Sequence, residues 1–104
     1  MTLQEFDAGL KTVCPQTYEL AAPANATRCI VWNVYGYSHV IGDDGCLVQI
    51  PKVQLDVFNQ SSFDPLFTDV QAYLTALHIP YSVQDIAYDP DYELLRMIIQ
   101  LELI

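Results

Sequence analysis

The 104 residues suffice for one domain, and their composition is more apolar and more acidic than usual. Hydrophobic residues make up 52% and charged residues only 16% of the chain, against about 25% charged residues in an average domain. Because 13 acidic residues outweigh four basic ones and give a net charge of −9, the surface repels phosphate backbones, which argues against tight nucleic-acid binding.

The N-terminal segment predicts a short amphipathic helix over residues 2–13. Thr2 and Glu5 have the spacing of a capping box, in which each side chain satisfies a free backbone donor. The apolar residues that follow recur on one helical face. These are Leu3, Phe6, Leu10 and Val13. Pro15 ends the helix, and residues 15–27 predict a loop that can include an irregular extended piece.

The middle of the chain predicts a β-hairpin. Residues 28–37 (RCIVWNVYGY) are rich in β-branched and aromatic side chains, and the sequence GDDG at 42–45 is a dense turn signal. Residues 46–59 form the predicted return strand. The alternation of its apolar residues changes phase near Pro51, so we expect a β-bulge at that proline to restore a single inward face.

The remainder predicts a second helix and a second hairpin. Asp64 is a plausible cap and Pro65 a plausible first residue of the helix, whose apolar stripe is Phe63, Phe67, Val70, Leu74 and Leu77. Strands are expected over 81–88 and, from a clean period of two, over the nine residues 95–103. The predicted fold is a single α+β domain over 1–104, in the order α-β-β-α-β-β, with an antiparallel sheet and both helices on one face. The predicted core consists of Ile30, Trp32, Val34, Val53, Leu55, Val57, Val70, Leu74, Met97, Ile99 and Leu101.

Residues that could carry chemistry are few and poorly spaced. The three cysteines are well separated, so neither a disulfide framework nor a zinc site is indicated, and buried free thiols are expected. His39 and Cys46 could meet across the first hairpin as a nucleophilic pair, but two common residue types beside a turn are weak evidence. His78 is better explained as a cation at a helix C-terminus. We expect no catalytic residues and no cofactor.

The acidic residues are more simply explained as solvated turns than as metal ligands. Asp43 and Asp44 lie together at the first turn without a third carboxylate at ligand spacing. A second acidic cluster is expected around the turn of the second hairpin and consists of Asp89, Asp91 and Glu93. We therefore expect no bound metal. Residues 1–10 lack the basic start and apolar run of a signal peptide, and no apolar run approaches the length of a membrane span.

Taken together, residues 29–104 resemble the tail-terminator, or tail-completion, proteins of long-tailed bacteriophages and prophages. The matching segments are residues 30–35, the Gly42-Asp43-Asp44 turn, VQLDVF at 53–58, the helix that begins with Asp64-Pro65, and LLRMIIQLELI at 94–104. They cover about three-quarters of the chain in the family's order and at close spacing. The loop over 15–27 is longer than the family pattern.

The resemblance implies a structural protein of the virion neck, assembled in the bacterial host cytoplasm, and no enzymatic activity. Its partners would be further copies of itself in a ring, commonly a hexamer, the tail tube protein, and the head-closure or joining protein. Such a ring ends tail polymerisation, and DNA passes through its lumen without specific binding. Another neck component, or a small ligand-binding or enzymatic domain, are the alternatives.

The expected working surface is the tip of the first hairpin, because it carries large side chains that a solvated turn does not need. The residues predicted to reach a neighbouring subunit are Tyr37, His39, Val40, Ile41, Asp43 and Asp44.

Overall fold

A computed structural model describes the backbone of residues 1–41, 45 and 47–104, with the side chains of all of these except residues 40, 41 and 47. The described residues form two helices and five strands. In chain order these are α1 (Leu3–Val13), β1 (Thr17–Glu19), β2 (Cys29–Ile41), β3 (Leu47–Asn59), α2 (Leu66–Ala76), β4 (Tyr81–Asp89) and β5 (Leu94–Glu102). Neither of these helices is long and apolar enough to cross a membrane.

The described strands make one sheet in the order β1-β2-β3-β5-β4. The α+β class predicted from the sequence is confirmed. The antiparallel pattern is confirmed for β2–β3, β3–β5 and β4–β5. However, the prediction missed β1, which pairs in parallel with β2, so the sheet is mixed.

The first strand forms because the loop before β2 is pinned at both ends. Ile30 donates its backbone N–H to the Gln16 carbonyl, and Leu20 donates to the Trp32 carbonyl, each at 2.9 Å. The buried Thr17 hydroxyl donates to the Cys14 carbonyl at 2.7 Å. Three residues are too few to show an alternating pattern, and for that reason the sequence predicted a loop.

The N-termini of α1 and α2 are both capped by side chains, as the sequence predicts. The Thr2–Glu5 capping box is present, with both reciprocal hydrogen bonds at 3.1 Å. Asp64 accepts a hydrogen bond from the Leu66 N–H at 2.9 Å, as a cap residue does, although the helix begins one residue later than predicted.

The C-terminus of α2 is closed by a Schellman motif, in which two backbone N–H groups bond back to the last helical turn. His78 donates to the Thr75 carbonyl at 3.0 Å and Ile79 donates to the Leu74 carbonyl at 3.1 Å. His78 adopts the left-handed conformation that this motif requires, with φ of 56°.

The core lies between one face of the sheet and the two helices. Ten of the eleven predicted core residues are buried, and Val34 is partly buried against them. The core also takes in residues that the predicted list omitted, and these are Phe6, Leu10, Cys14, Leu66, Ile79 and Leu103. Phe63 was assigned to the apolar stripe of α2, but it precedes the helix and is 96% exposed.

The phase change near Pro51 has a different cause from the predicted bulge. Pairing along β3 is regular through Pro51, and the extra residue lies on β2 between Val34 and Gly36. Val48 and Ile50 occupy the opposite face of the sheet from Val53, because uninterrupted pairing along β3 keeps the strict alternation of faces, and Val48 is 53% exposed.

Candidate functional site

The outer ends of β2 and β3 form a projecting arm. The last register pair between β3 and β5 is Lys52 with Glu102, whereas β2 and β3 remain paired from Tyr37 and Pro51 out to Ile41 and Leu47. Residues 37–41 and 47–51, called the arm below, therefore extend past the rest of the sheet. The chain is correspondingly elongated, with extents of 50 × 26 × 22 Å.

The arm presents large side chains to solvent. Tyr37 is 49% exposed and Val48 is 53% exposed. The exposed His39 lies opposite Gln49, with 3.4 Å between the ring Nε2 and the amide Nε2. An isolated two-stranded ribbon is marginally stable in water, so these side chains would gain from a covering surface.

Of the residues predicted as the working surface, four belong to β2 in the arm. These are Tyr37, His39, Val40 and Ile41. Asp43 and Asp44 lie outside the described residues, as does Cys46, the residue that the sequence offered only as a weak nucleophilic partner for His39. The structure does bring Tyr37 and His39 onto one face of the arm, since both are paired with alternate residues of β3.

The base of the arm is tied to the C-terminal strand. The Ser38 hydroxyl donates to the Glu102 carboxylate, and the Leu103 N–H donates to the Pro51 carbonyl at 2.9 Å. These bonds fix the direction in which the arm leaves the sheet.

The face of the sheet opposite the helices, called the open face below, carries a charged cluster. The Arg96 guanidinium pairs with the Asp56 carboxylate at 2.9 Å and lies 3.7 Å from that of Asp89. Its carbon Cζ lies 5.7 Å from the centre of the Phe58 ring, within the range of a cation–π contact. The positive charge of Arg96 is therefore already matched within the chain.

A cavity of about 220 Å³ lies between this cluster and the loop after β1. Its lining is mixed apolar and polar and includes Cys29, Phe58, Tyr92 and Leu94. Burial, with a smaller contribution from Cys14, raises the pKa of the Cys29 thiol to about 11. The thiol is thus protonated at neutral pH and a poor nucleophile. The cavity is smaller than the roughly 300–1,000 Å³ of typical ligand pockets.

The acidic residues of the second hairpin turn, Asp89, Asp91 and Glu93, differ in their local contacts. Asp89 faces Arg96 and also accepts a hydrogen bond from the Asp91 N–H at 3.0 Å, while Glu93 adopts a left-handed turn conformation. Across the described part of the chain, no three histidine, cysteine or acidic side chains come together in a metal-binding arrangement.

Sequence reasoning missed the open-face cluster of Asp56, Phe58 and Arg96. Asp56 and Arg96 are 40 positions apart, and only the β3–β5 register places them beside each other. Alternation identified these positions as outward-facing, but it carries no information about their neighbours across strands.

Comparison with models of known protein families gives no match, and comparison with curated proteins gives no significant match either.

Proposed function

We propose that this protein is a structural subunit of a long-tailed bacteriophage or prophage, which assembles into a ring at the head-proximal end of the tail tube. The ring ends tube polymerisation and offers a surface for head joining. The protein acts by assembling, and its partners are further copies of itself, the tail tube protein and the head-closure or joining protein.

The observation that carries this proposal is the arm. Its exposed side chains include Tyr37 and Val48, which a freely solvated hairpin does not need. The radius of gyration is 14.7 Å, against about 13 Å for a compact domain of this length, so the arm extends beyond the globular part. A projecting apolar ribbon suits a subunit that reaches onto a neighbour.

The charge of the chain supports the same proposal. A ring around the DNA path must let a polyanion slide without binding it, and a net charge of −9 opposes phosphate contacts. Three of the four basic residues are also matched by carboxylates within the chain. These are Lys11, Arg28 and Arg96.

The direct test is deletion of the gene from the phage or prophage that carries it, followed by electron microscopy of the particles. We expect overlong tubes and heads without tails, both corrected by the wild-type copy. A copy with Asp43→Lys and Asp44→Lys should fold, since these residues belong to the turn predicted from the sequence and solvated turn substitutions usually change stability by only about ±0.5 kcal/mol, but should restore normal particles poorly. Its matched control is Asp91→Lys, a charge reversal at the other hairpin.

The same experiment separates the alternatives. Tails of normal length that fail to join heads would identify another neck component, a head-closure or joining protein. Normal, infectious particles after deletion would refute the structural role and leave a small ligand-binding or enzymatic domain as the explanation.

A further inference from the structure

The described sheet ends in two long free edges that differ in chemistry. One is β4, which has a partner only on its β5 side over nine residues. The other is the outer side of β2, because β1 covers that strand only at Ile30, Val31 and Trp32. Residues 33–41 of β2 are therefore free on that side, and they match β4 in length. An unpaired strand edge is a template for pairing with another chain.

Both edges carry exposed apolar side chains on the helix-bearing side of the sheet. On β4, Ile86 is 55% and Tyr88 is 58% exposed, and their register partners belong to the helix-facing side of β5. On β2, Tyr37 is 49% exposed and lies on the same side. Aromatic and branched side chains brought opposite one another across strands stabilise a sheet.

The strand directions allow the two edges to meet without reversing either molecule. Along the sheet, β2, β3, β5 and β4 alternate in direction, so β4 runs antiparallel to β2. If a second copy continues the sheet with its helices on the same side, β4 of the first copy lies antiparallel to β2 of the second. This contact is heterologous, and a heterologous contact generates rings when its rotation closes.

Charge restricts which strand can pair with β4. The exposed Asp85 lies on the open face beside a register shift in β4, and an edge charge next to a bulge opposes indiscriminate pairing. A partner strand that brings a cation close to the Asp85 carboxylate neutralises its charge, so pairing with that strand is no longer disfavoured. On β2 the corresponding face holds Gly36, whose lack of a side chain leaves the space above the edge free.

Lys52 can supply that cation. It is the register partner of Gly36, and its Cδ lies 3.9 Å from where a Cβ on Gly36 would stand, so its side chain runs over Gly36 toward the free edge. Unlike the other three basic residues, it makes no ion pair with any residue that the structure describes. Two strand spacings, about 9–10 Å, would separate the Cα of Lys52 from that of the β4 residue opposite Gly36 in the next copy. Pairing over residues 33–41 places Asp85 within two residues of that position, a separation that two extended side chains can bridge.

We infer that copies of this chain join by pairing the β4 edge of one with residues 33–41 of β2 in the next, and that Lys52 of one copy binds Asp85 of its neighbour. This inference rests on the proposed ring and names the surface that builds it. In this arrangement, the arm lengthens the free edge of β2 so that it equals β4 in length.

Two edge variants test it by sedimentation of the purified protein over a range of concentrations. Ile86→Lys places a charge on the β4 edge and Tyr37→Lys places one on the β2 edge. Each alone should raise the dissociation constant for self-association at least about tenfold. Phe63→Lys is the control, because Phe63 is 96% exposed and belongs to neither edge, and it should associate like the wild type. At concentrations at which the wild type is monomeric, the melting temperatures of all three should stay near the wild-type value.

Mixing the two edge variants gives the decisive result. Each retains one intact edge, so an equimolar mixture should form dimers that do not grow further. Self-association of Tyr37→Lys alone would indicate β4-to-β4 pairing and overturn the inference, as would a mixture that stays monomeric.

A charge exchange tests the ion pair without relying on the apolar positions. Lys52→Glu and Asp85→Lys should each weaken association, and the double variant should recover most of it, because the pair is restored with opposite sign. Equal weakening in the double variant would exclude the contact.

The outcomes separate this inference from the function on which it rests. Wild-type protein that stays monomeric up to about 1 mM would overturn both the ring and the edge pairing. A wild type that assembles together with edge variants that assemble equally well would overturn the edge pairing alone. Edge variants that block assembly, combined with normal tails after gene deletion, would leave the pairing intact and refute the tail function.

Discussion

Leu55 lies at the centre of the core, and its truncation should have one of the largest effects in the chain. It is fully buried on β3, between its register partners Trp32 on β2 and Ile99 on β5. Leu55→Ala removes three buried carbons, worth about 0.8 kcal/mol each in transfer free energy. Because neighbouring strands hold β3 on both sides, the site cannot collapse, and the remaining cavity should add roughly 1–2 kcal/mol. The expected loss in the free energy of unfolding is therefore about 3.5–4.5 kcal/mol.

Urea unfolding followed by far-ultraviolet circular dichroism measures this loss. For a slope of about 1–3 kcal/mol per molar urea, the midpoint should fall by roughly 1 M or more. Leu77→Ala is the matched control, since Leu77 is 36% exposed at the end of α2, and it should cost less than about 1 kcal/mol. A loss below about 1 kcal/mol for Leu55→Ala, with an unchanged slope, would refute this account of the core.

Three further predictions concern single sites. His78→Gly should raise the free energy of unfolding by about 0.5–1 kcal/mol, because glycine adopts the left-handed conformation of the Schellman motif without steric cost; a lower thermal midpoint would contradict it. Gly9→Ala should lower stability despite the better helix propensity of alanine, because the new Cβ would overlap the Tyr73 hydroxyl. In a double-mutant cycle, adding Tyr73→Phe should recover part of the loss. Burial raises the pKa of the Cys29 thiol to about 11 from an ordinary value of 9.0. The stability that this thiol contributes should therefore be complete below pH 9 and decline between pH 9 and 11, and Cys29→Ala should abolish that part of the pH dependence of unfolding.

The first hairpin shows which part of the candidate site the sequence predicts and which part only the structure shows. The apolar and aromatic residues beside an acidic turn predicted a working surface at residues 37–44. The structure places the first of these residues in a projecting arm, and it adds a feature that no pattern indicated, the free outer edge of β2. That edge exists because β1 is only three residues long. The length of β1 is set by the backbone hydrogen bonds to the carbonyls of Gln16 and Trp32.

Local patterns determined the two helices, the two hairpins and the buried face of the sheet. Capping chemistry at Thr2 and alternation along β5 each depend only on residues close in sequence, and close neighbours are what a single sequence displays. The tertiary structure alone decided that the two hairpins lie side by side through β3 and β5, that the extra residue falls on β2, and that Phe63 is exposed. These features depend on which strands adopt which register and on where α2 begins. Contacts between residues as distant as Asp56 and Arg96 depend on the packing of the whole chain, and the period of a strand specifies only the face on which each of them lies.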